Sequence, residues 1–108
     1  MEIITPPNLL NNSKVKITYI INNTEYIFRF WWCDTFCLLD IFIIDGFEEV
    51  YLVKGRPLTI NSDLIARVNE PDLITGSIYL MQKYGFNIEP TQENLHTDYY
   101  LVWTNEDE

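Results

Sequence analysis

A chain of 108 residues is of single-domain length, and 47% hydrophobic with 21% charged residues is the balance of a globular protein with a modest core. Its formal net charge of −9 argues against a nucleic-acid binder, which needs Lys and Arg to replace counterions on phosphates, and against an anionic membrane surface. It suits a basic protein partner, or simply solubility. The start has no basic segment and contains Pro6 and Pro7, so no signal peptide is expected. Cys33 and Cys37 then read as free thiols in a reducing cell.

Residues 1–13, MEIITPPNLLNNS, read as an extended N-terminal arm ending in an apolar contact at Leu9 and Leu10. Residues 14–21, KVKITYII, alternate strictly. Val15, Ile17, Tyr19 and Ile21 share one face, with Lys14, Lys16 and Thr18 on the other. Asn22 and Asn23 then predict a two-residue turn, because Asn tolerates positive φ. The register that follows sets Tyr19 opposite Tyr26, Ile17 opposite Phe28 and Val15 opposite Phe30.

The stretch from Phe28 to Val53 is almost wholly apolar and aromatic, but Arg29, Asp34, Asp40 and Asp45 interrupt it too often for a membrane span. A turn at Asp34–Thr35 instead places Phe30 opposite Leu39, Phe28 opposite Ile41, Tyr26 opposite Ile43, and Arg29 opposite Asp40. This last pair is a candidate structural ion pair that supports the register. Asp45-Gly46 is the strongest hairpin signal, with a register of Ile41 opposite Val50, Leu39 opposite Leu52 and Tyr51 near Asp40. The result is a four-strand meander. Its core face carries Val15, Ile17, Tyr19, Phe28, Phe30, Leu39, Ile41, Val50 and Leu52.

The other face carries Ile27, Trp31, Leu38, Phe42, Ile44 and Val53 beside Arg29, Asp40 and Glu49, too apolar for a solvated face. Either later strands cover it or a partner does. Trp31, Leu38, Phe42 and Ile44, with Leu9 and Leu10 of the arm, are the candidate partner contacts. Beyond the meander, Lys54–Leu64 reads as a connection with Gly55 and Pro57 as breakers, and Leu64–Val68 as a short strand or one helical turn. Residues 69–72 predict a turn, and Ile78–Met81 a strand. Residues 85–95 read as a loop with one helical turn after Pro90, and Tyr99–Thr104 as a final strand. The expected fold is all-β: an antiparallel meander closing into a small barrel or sandwich over residues 14–104, followed by an acidic tail at 105–108.

Chemistry is poorly supplied. His96 is the sole histidine and its context, NLHTDYY, matches no catalytic signature. Cys33 and Cys37 have no second pair to complete a zinc site, and they fall on different strands as buried structural thiols. Asp45, Glu48 and Glu49 read as a solvated hairpin turn before they read as a cation site. The glycines are isolated, so there is no phosphate loop. No enzyme activity, metal or cofactor is expected.

The chain order carries a resemblance. YIFRFWW is followed by FCLLDIFIIDGFEEVYLVKGRPL, INSDLIARV, GSIYLMQ and IEPTQENLHTDYYLVW. From Asn22 to Trp103 this resembles the small baseplate plug proteins of contractile-tailed phages, the cyanophage-type plug family. The landmarks are Asp40, Asp45-Gly46, Gly55, Pro57, Leu58, Asp63, Leu64 and Gly76. The residues at Cys37 and Leu38, and the longer arm, depart from it. The resemblance implies a virion structural protein in the tail baseplate, made in the host cytoplasm, plugging or lining the central hub near the spike. Its implied partners are hub and spike proteins, tail tube proteins and the tape-measure C-terminus, with several copies in threefold or sixfold symmetry, no direct nucleic-acid binding and no membrane insertion. The alternative is a small acidic phage-encoded inhibitor, a DNA mimic acting on a host defence nuclease. The carboxylates are scattered over turns and tail, however, and not set in a row.

Overall fold

The computed structural model describes residues 2–10, 13–21, 23–33, 36–60, 62–65, 76–83 and 89–104. In chain order these form β1 (Glu2–Ile4), β2 (Lys14–Ile21), β3 (Thr24–Cys33), β4 (Phe36–Asp45), β5 (Glu48–Pro57), β6 (Ser77–Gln82), a single helical turn α1 (Leu95–Asp98) and β7 (Tyr99–Thr104). Two antiparallel sheets result, one in the order β2-β3-β4-β5 and one in the order β1-β7-β6. The fold is all-β and sandwich-like; the sheets do not close into a barrel.

The first three strands of the meander pair as their alternation dictates. Ile21 faces Thr24, Tyr19 faces Tyr26 and Val15 faces Phe30, with Asn23 in the turn at φ 64°. Phe28 then faces Ile41, Phe30 faces Leu39 and Arg29 faces Asp40. Residues 22, 34 and 35, on which two of the expected turns fall, lie outside the described residues. So do 66–75 and the tail at 105–108, which leaves only Leu64 and Ile65 of the expected 64–68 element, both buried in a turn.

The pairing of β4 with β5 corrects the expected register. Asp45 pairs with Glu48, so the central turn residues are Gly46 and Phe47. Gly46 takes φ 66°, and a positive φ at the first central position is the type II′ pattern that suits the twist of a hairpin. Moving the turn by one residue moves every partner by two, so Val50 faces Ile43 and not Ile41. Beyond Tyr51 the ladder slips twice, between Phe42 and Ile41 and between Ile41 and Leu39, giving Ile41 opposite Val53 and Leu39 opposite Arg56. These slips insert extra residues into β5. One consequence is that Leu52 and Val53, adjacent in sequence, are both buried, although Val53 was expected on the outer face.

Gly55 sits in the second slip at φ 65°, and its N–H donates to Asp40 Oδ1 at 2.6 Å. The expected break at Gly55 is therefore a bulge, and β5 runs on to Pro57, where an edge strand tolerates a residue without an N–H. A Cβ at Gly55 would meet no atom within 4 Å, so only the backbone conformation resists substitution. Gly55→Ala should cost about 1–2 kcal/mol in urea unfolding, the penalty of left-handed backbone for an L-residue, and Gly55→Asn less.

Both sheets bury side chains in one cluster. Phe28, Phe30, Leu39, Ile41 and Leu52 from the meander join Ile78 and Leu80 of β6 and Leu101 and Trp103 of β7. Three strands opposite four leave the edge strand β2 partly covered. Val15 and Tyr19 are thus half-buried at the cluster margin, and Ile17 and Val50, also expected in the core, are half-buried as well. Asp63 ties the segment after β5 to β6, its Oδ1 accepting from the N–H groups of Ile65 and Ile78 at 3.1 Å each, while its backbone carbonyl accepts from Arg56 Nη2 of β5 at 3.2 Å. The stretch read as an arm contributes to this core. β1 pairs Ile4 with Leu101, Leu9 is fully buried, and the Leu9 carbonyl accepts from Gln92 Nε2 at 2.7 Å. Leu9 is therefore withdrawn from the partner contacts, because it fills this chain's own interior.

Burial sets an alkaline limit. It pushes the Cys37 thiol from 9.0 up to about 12, and the Tyr19 phenol from 10.0 up to about 12. Both groups hold their protons in the fold at pH values where the unfolded chain has released them. Their contribution to stability is therefore complete below about pH 9 and is lost as the pH rises toward 12. Cys37→Val should raise the alkaline unfolding midpoint. Cys33, by contrast, is exposed rather than buried as expected, and should be the one thiol that reacts rapidly with an alkylating reagent in the native protein.

Candidate interaction surface

The outer face of the meander is built by alternate residues of four strands. The second sheet stacks on the opposite face, so among the described residues the outer face is covered only by its own side chains. At its centre Arg29 on β3 reaches three partners across two strands. Nη1 lies 3.4 Å from Asp40 Oδ2 and donates to the Tyr51 hydroxyl at 3.0 Å, and Nη2 lies 3.4 Å from Glu49 Oε2. Tyr51 in turn donates to Glu49 Oε1 at 2.9 Å. The hydrogen bond to Tyr51 is the chief reason that the guanidinium is held even more firmly protonated than usual, against the opposing effect of its own burial.

This network lies over Phe42. The guanidinium stands 4.9 Å from the Phe42 ring centre, and the Tyr51 ring 5.1 Å from it at 43°. Phe42 is therefore fully buried on a face that lacks a second layer among the described residues, and it is removed from the expected partner contacts: Arg29 and Tyr51 already occupy the surface that a partner would need. The expected ion pair is present, with an added role that spacing alone did not reveal, since Asp40 also holds the Gly55 bulge.

Of the other expected contacts, Trp31 and Leu38 face each other across β3 and β4 and are half-buried. Lys14 Nζ lies 5.6 Å from the Trp31 ring centre, while the indole Nε1 is buried without a hydrogen-bond partner among the described residues. Ile44 and Leu10 are about half exposed, Leu10 on the loop between β1 and β2. The structure thus brings Trp31, Leu38 and Ile44 onto one face and leaves Leu10 elsewhere. Sequence reasoning passed over Phe47. Its signal was an aromatic residue inside a hairpin turn, where Gly, Asn and Asp are the usual occupants.

No group of three or more His, Cys, Asp or Glu among the described residues could hold a metal ion. His96 lies on α1, half-buried, with Nδ1 lacking a hydrogen-bond partner among the described residues. No described helix is long and apolar enough to cross a membrane.

The family model described as cyanophage baseplate Pam3 plug gp18 matches residues 1–106. The chain belongs to that family. The match spans both sheets and contains the whole of the stretch, Asn22 to Trp103, that carried the resemblance. A search of curated proteins gives no match. Membership of the baseplate plug family gives the chain a structural role in a phage baseplate, contacts with other baseplate components and a place in the virion tail.

Proposed function

We propose that this protein closes or lines the lumen of the central hub near the spike until the tail contracts, and that it does so without catalysis. The observation that carries the reading is the family match over nearly the whole chain. It is supported by an outer face on which Trp31, Leu38 and Ile44 are left at least partly open. These three, with Leu10, are the proposed contacts to hub and spike proteins, tail tube proteins and the tape-measure C-terminus. Several copies would be arranged around a threefold or sixfold axis, where one patch meets an equivalent neighbour in each repeat. A net charge of −9 suits a lumen through which DNA passes, because repulsion keeps the strand from sticking.

The test is density for the tail tip in purified particles, together with the protein content of those particles. The reading expects density for this fold on the hub axis, in a copy number set by the symmetry. A protein made early in infection and absent from particles would overturn it and favour an inhibitor of a host defence nuclease.

A further inference from the structure

The outer face changes character toward its turn end. There Ile20 of β2 pairs with Glu25 of β3, and Ile44 of β4 pairs with Glu49 of β5. Glu25, Ile27 and Ile44 line a shallow hollow of about 160 Å³, which brings the two pairs together into one row across the sheet. Ile20 is 65% exposed and Ile44 52%. Just beyond the row, Phe47 projects from the β4–β5 turn and is 107% exposed, so its own fold covers none of it. Exposed apolar side chains scattered singly need no explanation, but three together at one end of a sheet mark a contact surface.

The unpaired charges around them are of one sign. Glu25 on the outer face, and Asp45 and Glu48, which flank Phe47 at the turn and alternate to the opposite face, are exposed and form no ion pair among the described residues, whereas Glu49 is held by Arg29. Such a surface repels its own equivalent on a second copy, where the same carboxylates would meet, and it repels the phosphates of nucleic acid as well. It attracts a surface that offers cations around an apolar pocket. The short turn holds the backbone of Phe47 in place before binding, which limits the entropy lost on docking to that of the side chain.

We propose that the turn end of the meander, with Glu25 beside Ile20 and Ile44 and with Asp45 and Glu48 flanking Phe47, docks onto another baseplate protein whose contact surface is an apolar pocket rimmed by Lys or Arg. This rests on the baseplate reading above and names the chemistry of one partner. The test is a competition. Tagged wild-type and variant proteins are co-expressed in infected cells, and their ratio in purified particles is compared with their ratio in the cytoplasm.

Phe47→Ser, and the triple change Glu25→Gln, Asp45→Asn and Glu48→Gln, should each be incorporated at least roughly tenfold less than wild type, the scale of losing one anchor contact. Both variants should melt like wild type, since neither touches the core. A photo-crosslinking residue at position 47 should attach to a different baseplate protein, within a segment that contains Lys or Arg. Equal incorporation of Phe47→Ser, or a crosslink to a second copy or to an acidic segment, overturns the docking proposal while leaving the baseplate reading intact. Absence of the tagged wild type from particles overturns the baseplate reading and the proposal with it.

Discussion

Removing residues 1–10 should abolish cooperative unfolding rather than trim a loose end. β7 is the central strand of its sheet, and β1 is one of its two neighbours, pairing over Glu2–Ile4. Loss of β1 exposes the edge of β7 from Leu101 to Trp103, two residues of which, Leu101 and Trp103, are buried. It also empties the spaces filled by Ile4, 4% exposed, and Leu9, 0% exposed. Each such loss costs about 2–5 kcal/mol, so the pair removes roughly 4–10 kcal/mol. Domains of this size have about 5–15 kcal/mol in total. Leu9→Ala alone should cost about 2–5 kcal/mol with an unchanged urea dependence, a measurement that separates the packing from the strand pairing. A truncated chain that keeps a sharp melt and native circular dichroism would show that the second sheet stands without β1.

The sequence suggested the opposite, a domain that survives loss of its first thirteen residues, and the reason is physical. β1 has only three residues, too few to display an alternation, and Pro6 and Pro7 follow it closely. What holds it is backbone pairing to a strand at the other end of the chain, and backbone hydrogen bonds leave no signature in side-chain type. β2 to β4 were legible because each has eight or more residues of regular alternation, with Arg29 and Asp40 fixing the phase. β6 and β7 were legible as strands but not in their pairing, for the reason that hid β1.

β5 was misplaced at both ends. Asp-Gly locates a hairpin to within a residue, yet one residue of turn shift displaces every partner by two, and a glycine that ends a strand looks the same as one that sits in a bulge. At the surface the outer face was visible as a period, so Ile44 was found. Which members of that face are covered depends on cross-strand neighbours. Phe42 vanishes beneath Arg29 and Tyr51, which lie on the two adjoining strands.

Asp40 is the residue whose change should separate the ion pair from the bulge. Its carboxylate is buried, with Oδ1 accepting from the Gly55 N–H at 2.6 Å and Oδ2 lying 3.4 Å from Arg29. The shorter bond goes to the backbone. Arg29 keeps Tyr51 and Glu49 when Asp40 is lost, whereas the Gly55 N–H has no other acceptor among the described residues. Asp40→Ala should therefore cost about 2–4 kcal/mol, most of it from stranding that donor inside the bulge. Asp40→Asn keeps an acceptor for Gly55 and removes only the charge, and should cost about 1 kcal/mol or less.

A double-mutant cycle with Arg29→Ala should give a coupling of about 0.5–1 kcal/mol, modest because the pair is long and shares Arg29 with two other partners. On spacing alone, exchanging the charges with Arg29→Asp and Asp40→Arg would restore most of what either single change loses. The structure reverses that expectation, because an arginine at position 40 offers Gly55 no acceptor, and the exchanged protein should be no more stable than Asp40→Ala. Urea unfolding of the set decides the matter. If Asp40→Asn falls as far as Asp40→Ala, the charge holds β3 to β4 and the bulge forms without help. If Asp40→Asn stays near wild type, the carboxylate is there to clamp β5 around Gly55, and the ion pair is secondary.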